Sequence, residues 1–331
     1  MQSILKDIKS KAYPIEPEVS RFLSEGGCKN ILSACSGGAD SVFASLLLAS
    51  LQDKFGFTLV LAHYNHAWRG EASDGDSAFV ESLANSLGVN CLLRRADSAS
   101  DGVQSETLAR NARIEFLRES AKEVGADAIA YGHQMNDIFE SQVLRLARGA
   151  GLEGLVAPRP IHHFGHYPTH IRPILNYSAD SIVSILREHA IEWREDASNT
   201  DDSIPRNFLR QTLTPSLSER LHRNVSEGAS RSRRLLQVDA EFLEQLAQER
   251  LPECYALDER LDRAQLRAED RALTRRAFVY WLHKMHPTFR PSASLQDQLI
   301  EAIYGDRFGE KFSLGADFIR MNKRHIWLEK G

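Results

Sequence analysis

No stretch of this chain approaches the roughly 20 consecutive apolar residues needed to span a membrane, so no membrane association is expected. The N-terminus, Met1-Gln-Ser-Ile-Leu-Lys-Asp, is charged and lacks the apolar centre of a secretory signal. Cytoplasm is the expected compartment. Cysteine is scarce and scattered. Cys28, Cys35, Cys91 and Cys254 form no Cys-x-x-Cys pair, so neither a zinc ribbon nor an iron–sulfur cluster is suggested. Internal repeats and low-complexity tracts are also lacking.

What is there is ordinary in bulk. Of 331 residues, 42% are hydrophobic and 26% charged, enough to bury a sizeable core in one large domain or two smaller ones. A net charge of −4 argues mildly against a general nucleic-acid binder. Yet Arg206, Arg210, Arg220, Arg223, Arg231, Arg233 and Arg234 fall close together with few acids between them. Such a run suits an RNA backbone or a solvated helix face, and charge alone does not choose between them.

Four apolar, β-rich runs, Ile31–Ala34, Thr58–His63, Val89–Leu93 and Ala128–Tyr131, alternate with helical patterns over about Asp40–Gln52, Ser73–Leu87 and Ser105–Val124. That alternation predicts an α/β fold, a parallel sheet with helices on both faces and ligands at the carboxyl ends of the strands. A helix over Asn136–Arg148, a short hairpin through Pro160–His170 and a helix over about Ser178–His189 complete this unit. From Pro215 long helical stretches dominate, Ser216–Arg250, Ala264–Lys284 and Ser294–Tyr304. The tail from Lys311 reads as two strands about Asn322-Lys323. The expected division is therefore residues 1–215 and a smaller, mainly helical domain, residues 216–331, with a terminal β-hairpin.

The unusual residues follow the strands. After the first comes Ser36-Gly37-Gly38-Ala39-Asp40-Ser41. The two glycines let backbone N–H groups approach a phosphate, and the following helix points its positive end at the same spot. Asp40 and Ser41 add the oxygen ligands that hold Mg²⁺ beside phosphate. No Gly-Lys-Ser/Thr follows, so this is not the lysine-bearing loop of kinases. After the second strand come His63, Asn65 and His66, with Arg69 beyond, suited to a nucleotide base and phosphates but also common in loops. Arg110 and Arg113 share a helix face with Asn111 beside them. They could clamp a phosphate, although Glu106 and Arg110 also have ion-pair spacing. After the fourth strand come His133, Asp137 and Glu140. Asp-x-x-Glu is a helix capping pattern as well as a candidate Mg²⁺ or amine site. His162, His163, His166 and His170 lack the paired spacing of a zinc site.

Together these motifs resemble the tRNA(Ile)-lysidine synthase family, within the superfamily of PP-loop ATP pyrophosphatases (HUP-like, Rossmann-like folds). The phosphate loop alone would also fit GMP synthetase, asparagine synthetase or tRNA thiolases. The specific parts are His63-x-Asn65-His66, Ala109-Arg110-x-x-Arg113, His133-x-x-x-Asp137-x-x-Glu140, Leu144-Arg145-Leu-x-Arg148-Gly149-x-Gly151 and Arg172-Pro173. Most specific is Trp193-Arg-Glu-Asp196-x-Ser198-Asn199 leading to Arg206-Asn207-x-x-Arg210. Thiolases usually need cysteine pairs and amidotransferases a glutaminase domain, and this chain has neither. A non-enzymatic nucleotide-binding module would not need the arginines after Pro205.

The resemblance implies a ligase that adenylates C2 of the wobble cytidine in the CAU anticodon of tRNA(Ile), after which L-lysine displaces AMP to give lysidine. It implies ATP and Mg²⁺, with Ser36, Gly37, Gly38, Ala39, Asp40 and Ser41 at the phosphates, His63 and Asn65 at the nucleotide, and Asp40 on the metal. It implies catalytic roles for Asp40, Arg113, His133, Asp137 and Arg206, and substrate contacts from Arg110, Asn111, Glu140, Asn207 and Arg210. Departures from the family pattern are Cys35 before the loop, Ala39 within it, Asn136 where a second acid is common, and Ser141 for threonine. The chain reads as a short form, with tRNA contact expected from Ser216–Tyr304. A homodimer is compatible with all of this.

Overall fold

The apolar runs of the first half become the strands of one sheet in the computed structural model, which describes residues 2–331 apart from 12, 27, 69, 97–105, 165–166, 196–204, 256–258, 288, 290 and 307–308. Two helices, α1 (Gln2–Ser10) and α2 (Pro17–Ser24), precede the first strand. Then β1 (Asn30–Ala34), α3 (Ala39–Phe55), β2 (Thr58–Asn65), α4 (Glu71–Leu87), β3 (Asn90–Arg95), α5 (Glu106–Glu123), β4 (Ala128–Tyr131) and α6 (Met135–Leu146) alternate. A short α7 (Leu152–Leu155) leads to the hairpin β5 (Ile161–Phe164) and β6 (Tyr167–Ile171), then to α8 (Ala179–Glu188). Next come α9 (Pro205–Phe208), a π-helical stretch (Leu209–Leu213), α10 (Thr214–Leu221) and the long α11 (Val225–Arg250). The chain divides into two compact units, Met1–Val143 with Ala157–Arg231, and Leu144–Val156 with Ser232–Gly331. The division falls within α11 rather than near Pro215. Ala229 of α11 is buried with Ile138 and Leu175, which explains why the start of that helix goes with the first unit.

The first unit is built on a six-stranded sheet ordered β3-β2-β1-β4-β6-β5. All pairs are parallel except β5 with β6. The hairpin foreseen at Pro160–His170 is thus no satellite. Its second strand extends the sheet beside β4, with Ala128 opposite Thr169. Burial on both faces explains the continuous apolar runs. Ile31, Leu59 and Leu61 face one cluster with α3 and α8. Leu32, Val60 and Ala62 face the other, with Phe116, Leu117 and Ala121 of α5. Helix α3 is enclosed all round, and every residue from Ser41 to Ser50 is buried. The strand order reverses between β1 and β4, the position at which open α/β sheets bind ligands.

The second unit continues through a 3₁₀ turn (Leu251–Cys254), β7 (Leu261–Asp262), α12 (Arg263–Ala268), α13 (Arg271–Met285), α14 (Ala293–Tyr304), β8 (Glu310–Ser313), β9 (Phe318–Met321) and β10 (His325–Glu329). The expected terminal hairpin is one part of a four-stranded antiparallel sheet ordered β7-β10-β9-β8. A turn at Gly315, where φ is +95°, divides what reads in sequence as a single strand. Trp281, Phe278, Leu299, Ile303, Ile319 and Ile326 form the core. Among the described residues no helix is long and apolar enough to cross a membrane.

Candidate active site

The turn from β1 into α3 places Ser36 to Ser41 at the carboxyl edge of the sheet. Ser41 ties it together. Its hydroxyl accepts from the Ser36 N–H at 3.1 Å and donates to the Gly38 carbonyl at 2.9 Å. Gly37 has φ of +90°, a conformation side chains resist. Its carbonyl accepts from the Arg194 N–H at 2.9 Å, and Arg194 Nε donates to Asp76 at 2.9 Å. The Trp193-Arg194 segment thereby braces the turn. Arg194 and Phe79 also help to line an open cleft of about 570 Å³ with Arg187, Ile191 and Trp193. Asp196, Ser198 and Asn199 of the same motif, like Arg69, lie outside the described residues.

Gly132, at the end of β4, is a packing requirement that the sequence reading did not single out. A Cβ there would lie 2.9 Å from both Cα and N of Ser41. Only glycine lets the end of β4 approach the start of α3 this closely.

Those residues build a compact cluster. Asp137 caps its own helix, accepting from the Gln134 N–H at 2.8 Å, and its other oxygen faces Arg206 Nη2 at 2.6 Å. Glu140, one helical turn on and fully buried, accepts from Arg206 Nε at 2.6 Å and Arg210 Nε at 2.9 Å. The capping role and a role in this cluster are therefore both real for Asp137. Spacing explains the geometry: Asp137 and Glu140 share a face of α6, and Arg206 and Arg210 are four apart on the segment opposite. Burial alone would weaken the charge on Arg206, but Asp137 and Glu140 more than offset that and raise its pKa. Glu140 Oε1 and Oε2 both lie on arginine nitrogens, which makes it a positioning group.

Asp40 faces this cluster. Burial, then the negative charge of Asp137, pushes its carboxyl up to about 7, against the opposing pull of Arg210 and Arg206. An acid so placed is one that a cation would relieve. Among the described residues no group of three or more His, Cys, Asp or Glu side chains could hold a metal. A divalent ion here would therefore be bound through Asp40 and the oxygens of a phosphate ligand, the usual habit of Mg²⁺.

His133 is partly buried, and that burial, then Arg172, drives its pKa down to about 3, with Arg206, Arg113 and Arg110 adding to the effect. The ring is neutral. Arg172 Nε donates to Nδ1 at 3.2 Å, so the proton sits on Nε2, and Arg172 is itself anchored on the Arg159 carbonyl at 2.6 Å. Arg172-Pro173 is quoted above as a motif without a role, and this contact supplies one. Arg110, Asn111 and Arg113 are exposed on α5, within electrostatic range of His133 for the two arginines. Asn207 is buried on α9.

The residues after β2 divide. Asn65 is occupied structurally. Its amide donates to Asp74 at 2.8 Å and Ser77 at 3.1 Å, and its oxygen accepts from the Ala67 N–H at 2.7 Å. His63 is buried against the Cys35 carbonyl, 2.9 Å from Nδ1. Asn136 accepts from the Ala179 N–H at 3.4 Å, a join between α6 and α8. His162 and His170 pair across β5 and β6, and His163 contacts Thr169 at 3.0 Å. His166 lies outside the described residues.

The comparisons with known proteins fit this geometry. Residues 12–217 match the family model of the PP-loop domain. Proteins named tRNA(Ile)-lysidine synthase are 32% identical in Clostridium acetobutylicum and 36% in Geobacter sulfurreducens, over 66% and 67% of this chain. Each alignment covers 47% of the relative, so the chain spans about half the length of these relatives. A protein of the same name in Nostoc is 34% identical over 70% of this chain and 66% of its own. Among solved structures, the U34-tRNA thiolase NcsA from Methanococcus maripaludis with its [4Fe-4S] cluster superposes with a TM-score of 0.53. It is 16% identical over 66% of this chain and 78% of its own, a likeness of fold alone. With its phosphate-binding turn at the switch point of a parallel sheet and a matching family model over most of its length, the chain belongs to the PP-loop domain family.

Proposed function

We propose that the chain joins L-lysine to C2 of the wobble cytidine in the CAU anticodon of tRNA(Ile), consuming ATP and releasing AMP and pyrophosphate. The observation that carries the reading is the cluster beside the glycine turn: Asp137 and Glu140 gripped by Arg206 and Arg210, all four within electrostatic reach of Asp40. The tRNA(Ile)-lysidine synthase name of the relatives supports the choice of substrates.

In the first step the cytidine O2 attacks the α-phosphorus of ATP and pyrophosphate leaves. In the second, the lysine ε-nitrogen attacks C2, the C2–O bond breaks, AMP departs with that oxygen, and the nitrogen sheds its proton. Mg²⁺, when bound, neutralises phosphate charge. The backbone from Ser36 to Ser41 cradles the phosphates, and Asp40 holds the metal. Arg206, oriented by Asp137 and Glu140, and Arg113 stabilise charge developing on the α-phosphate, with Arg210 holding the carboxylates in register. Neutral His133 donates from Nε2 to a phosphate oxygen, and Arg110, Asn111 and Asn207 support the substrate. Positioning supplies much of the rate.

The test is pyrophosphate release from ATP and Mg²⁺, with and without labelled lysine, on isoleucine and methionine CAU tRNAs side by side. Lysine incorporated into the isoleucine tRNA alone is the expected result. Pyrophosphate release with no lysine incorporated would overturn the assignment and point to another nucleophile, sulfur first.

A further inference from the structure

Arg206 and Arg210 do not ride on an ordinary helix. Pro205–Phe208 and Thr214–Leu221 are α-helical, and the turn between them, Leu209–Leu213, is wider. The backbone stays helical through both joins, with φ and ψ of −56° and −45° at Phe208 and −60° and −49° at Thr214. It is one helix with a residue let into it. The Thr214 N–H donates to the Leu209 carbonyl, five residues back instead of four. Such turns are rare and gather at functional sites. The cause is local. Pro215 has no N–H to give and presses its ring on the carbonyl four residues back, that of Gln211. A turn opened by one residue relieves that pressure.

Thr214 closes the opened turn. It is buried, and its hydroxyl donates to the same Leu209 carbonyl at 2.7 Å. One residue thus gives this carbonyl two donors. The carbonyl belongs to the peptide plane that carries the Arg210 nitrogen, and a peptide plane turns as a unit. Holding one end aims the other, so Thr214 sets the direction in which Arg210 leaves the helix. That direction is toward the carboxylates. Glu140 divides its oxygens between two guanidinium groups, Oε2 on Arg206 Nε at 2.6 Å and Oε1 on Arg210 Nε at 2.9 Å. Were Arg210 to turn aside, Glu140 would lose one of its two anchors, and Arg206 would lose a fixed partner.

We propose that Thr214 is a positioning residue: by holding the Leu209 peptide with two donors it keeps Arg210 on Glu140, and so keeps Arg206 aligned for the α-phosphate. This rests on the ATP-cleaving reading above, and it adds a residue that the motif Arg206-Asn207-x-x-Arg210 does not contain.

Thr214→Val removes the hydroxyl at nearly constant shape, and Thr214→Ser keeps it. Three quantities would be read for each. They are the NMR signal of the Arg210 Nε–H, identified by its absence in Arg210→Lys, the kcat and KM for pyrophosphate release, and the melting temperature. In Thr214→Val the Arg210 signal should leave the position of a carboxylate-bonded guanidinium. Its kcat should fall about tenfold, within the range by which small misplacements slow a reaction, with the KM for ATP unchanged within about threefold. Thr214→Ser should restore both signal and kcat. In an Arg210→Ala background, Thr214→Val should cost no further kcat, because the two act through one contact. A purely structural hydroxyl would lower the melting temperature and leave the Arg210 signal and the kcat of the folded protein in place, and that result overturns the proposal. A full further loss of kcat in the Arg210→Ala background overturns it as well. If the unsubstituted protein released no pyrophosphate, the reading beneath would fall, and the Arg210 signal alone would decide whether Thr214 aims that side chain.

Discussion

Arginine is buried in two ways in this molecule. In the first unit, Arg206 and Arg210 keep about two fifths of their side chains in solvent, 41% and 39%, while gripping carboxylates that are 7% and 0% exposed. In the second unit, Arg263 is fully enclosed and grips main-chain carbonyls. Its guanidinium donates to the carbonyls of Ala302 at 2.6 Å, Ile303 at 3.0 Å, Gly305 at 2.5 Å and Asn322 at 3.3 Å. Those carbonyls close α14 and begin the β9–β10 turn, groups that a helix end leaves unsatisfied. Arg263 is a joint between elements. The pair in the first unit is held from beneath and open above, the arrangement of a group meant to meet a ligand. Burial alone would have ranked Arg263 first as a candidate functional residue. The nature of the partners ranks it last.

The comparison can be broken at several points. Arg206→Ala should cut ATP-dependent pyrophosphate release by about 10²–10³-fold and also lower stability, because it takes one partner from the buried Asp137 and Glu140. A steady-state assay beside a denaturation curve reads both, and a stability loss with activity intact would make Arg206 a strut like Arg263. Arg263→Met should lower stability alone. It keeps the bulk, removes the donors and should destabilise the second unit by about 3 kcal/mol, seen as earlier urea unfolding, with pyrophosphate release per folded molecule near that of the unsubstituted protein. Gly132→Ala forces a carbon against Ser41 backbone and should cost about 1–3 kcal/mol with a marked loss of ATP binding. Unchanged binding would show that the end of β4 and the start of α3 can separate without harm to the turn.

The last effect is a pH dependence. Asp40 has a raised pKa in the folded protein, about 7, against ~3.9 unfolded. Below the unfolded value both states are protonated, and no difference arises. As pH rises from about 4 through 7 the unfolded chain ionises first, so this residue progressively disfavours the fold. Asp40→Asn should match the unsubstituted protein in melting temperature near pH 4 and exceed it at pH 8, while losing pyrophosphate release throughout. A gap that stays constant with pH would show that burial and Asp137 do not raise the Asp40 carboxyl.

Much of this was legible in the sequence, for physical reasons. The turn at Ser36–Ser41 is local: glycines, cap and helix start are contiguous, and strand–helix alternation follows from hydrophobic period. Pairing between distant segments is not. Nothing in residues 205–210 says that Arg206 meets Asp137 and Glu140, because that contact depends on where β4 lies in the sheet. Asn65 looked like a ligand contact, yet it spends its amide on Asp74, Ser77 and Ala67. Polar residue type cannot distinguish a loop's own bonds from bonds kept for a partner. The extension of the sheet by β6 and the division at Gly315 both escaped because short strands carry too few residues to show a period.

Helix α3 carries a last consequence. Every position from Ser41 to Ser50 is enclosed, and the helix begins directly at the glycine turn. The turn therefore has no conformational freedom of its own to surrender. The entropy of ordering it was spent when the chain folded, leaving little to lose when a nucleotide arrives. The same linkage works against separate tuning. A shaved methylene at Leu46 or Leu48 is felt some distance away as a displaced turn, so in a survey of random variants interior substitutions along α3 should score as catalytic defects although they touch no substrate.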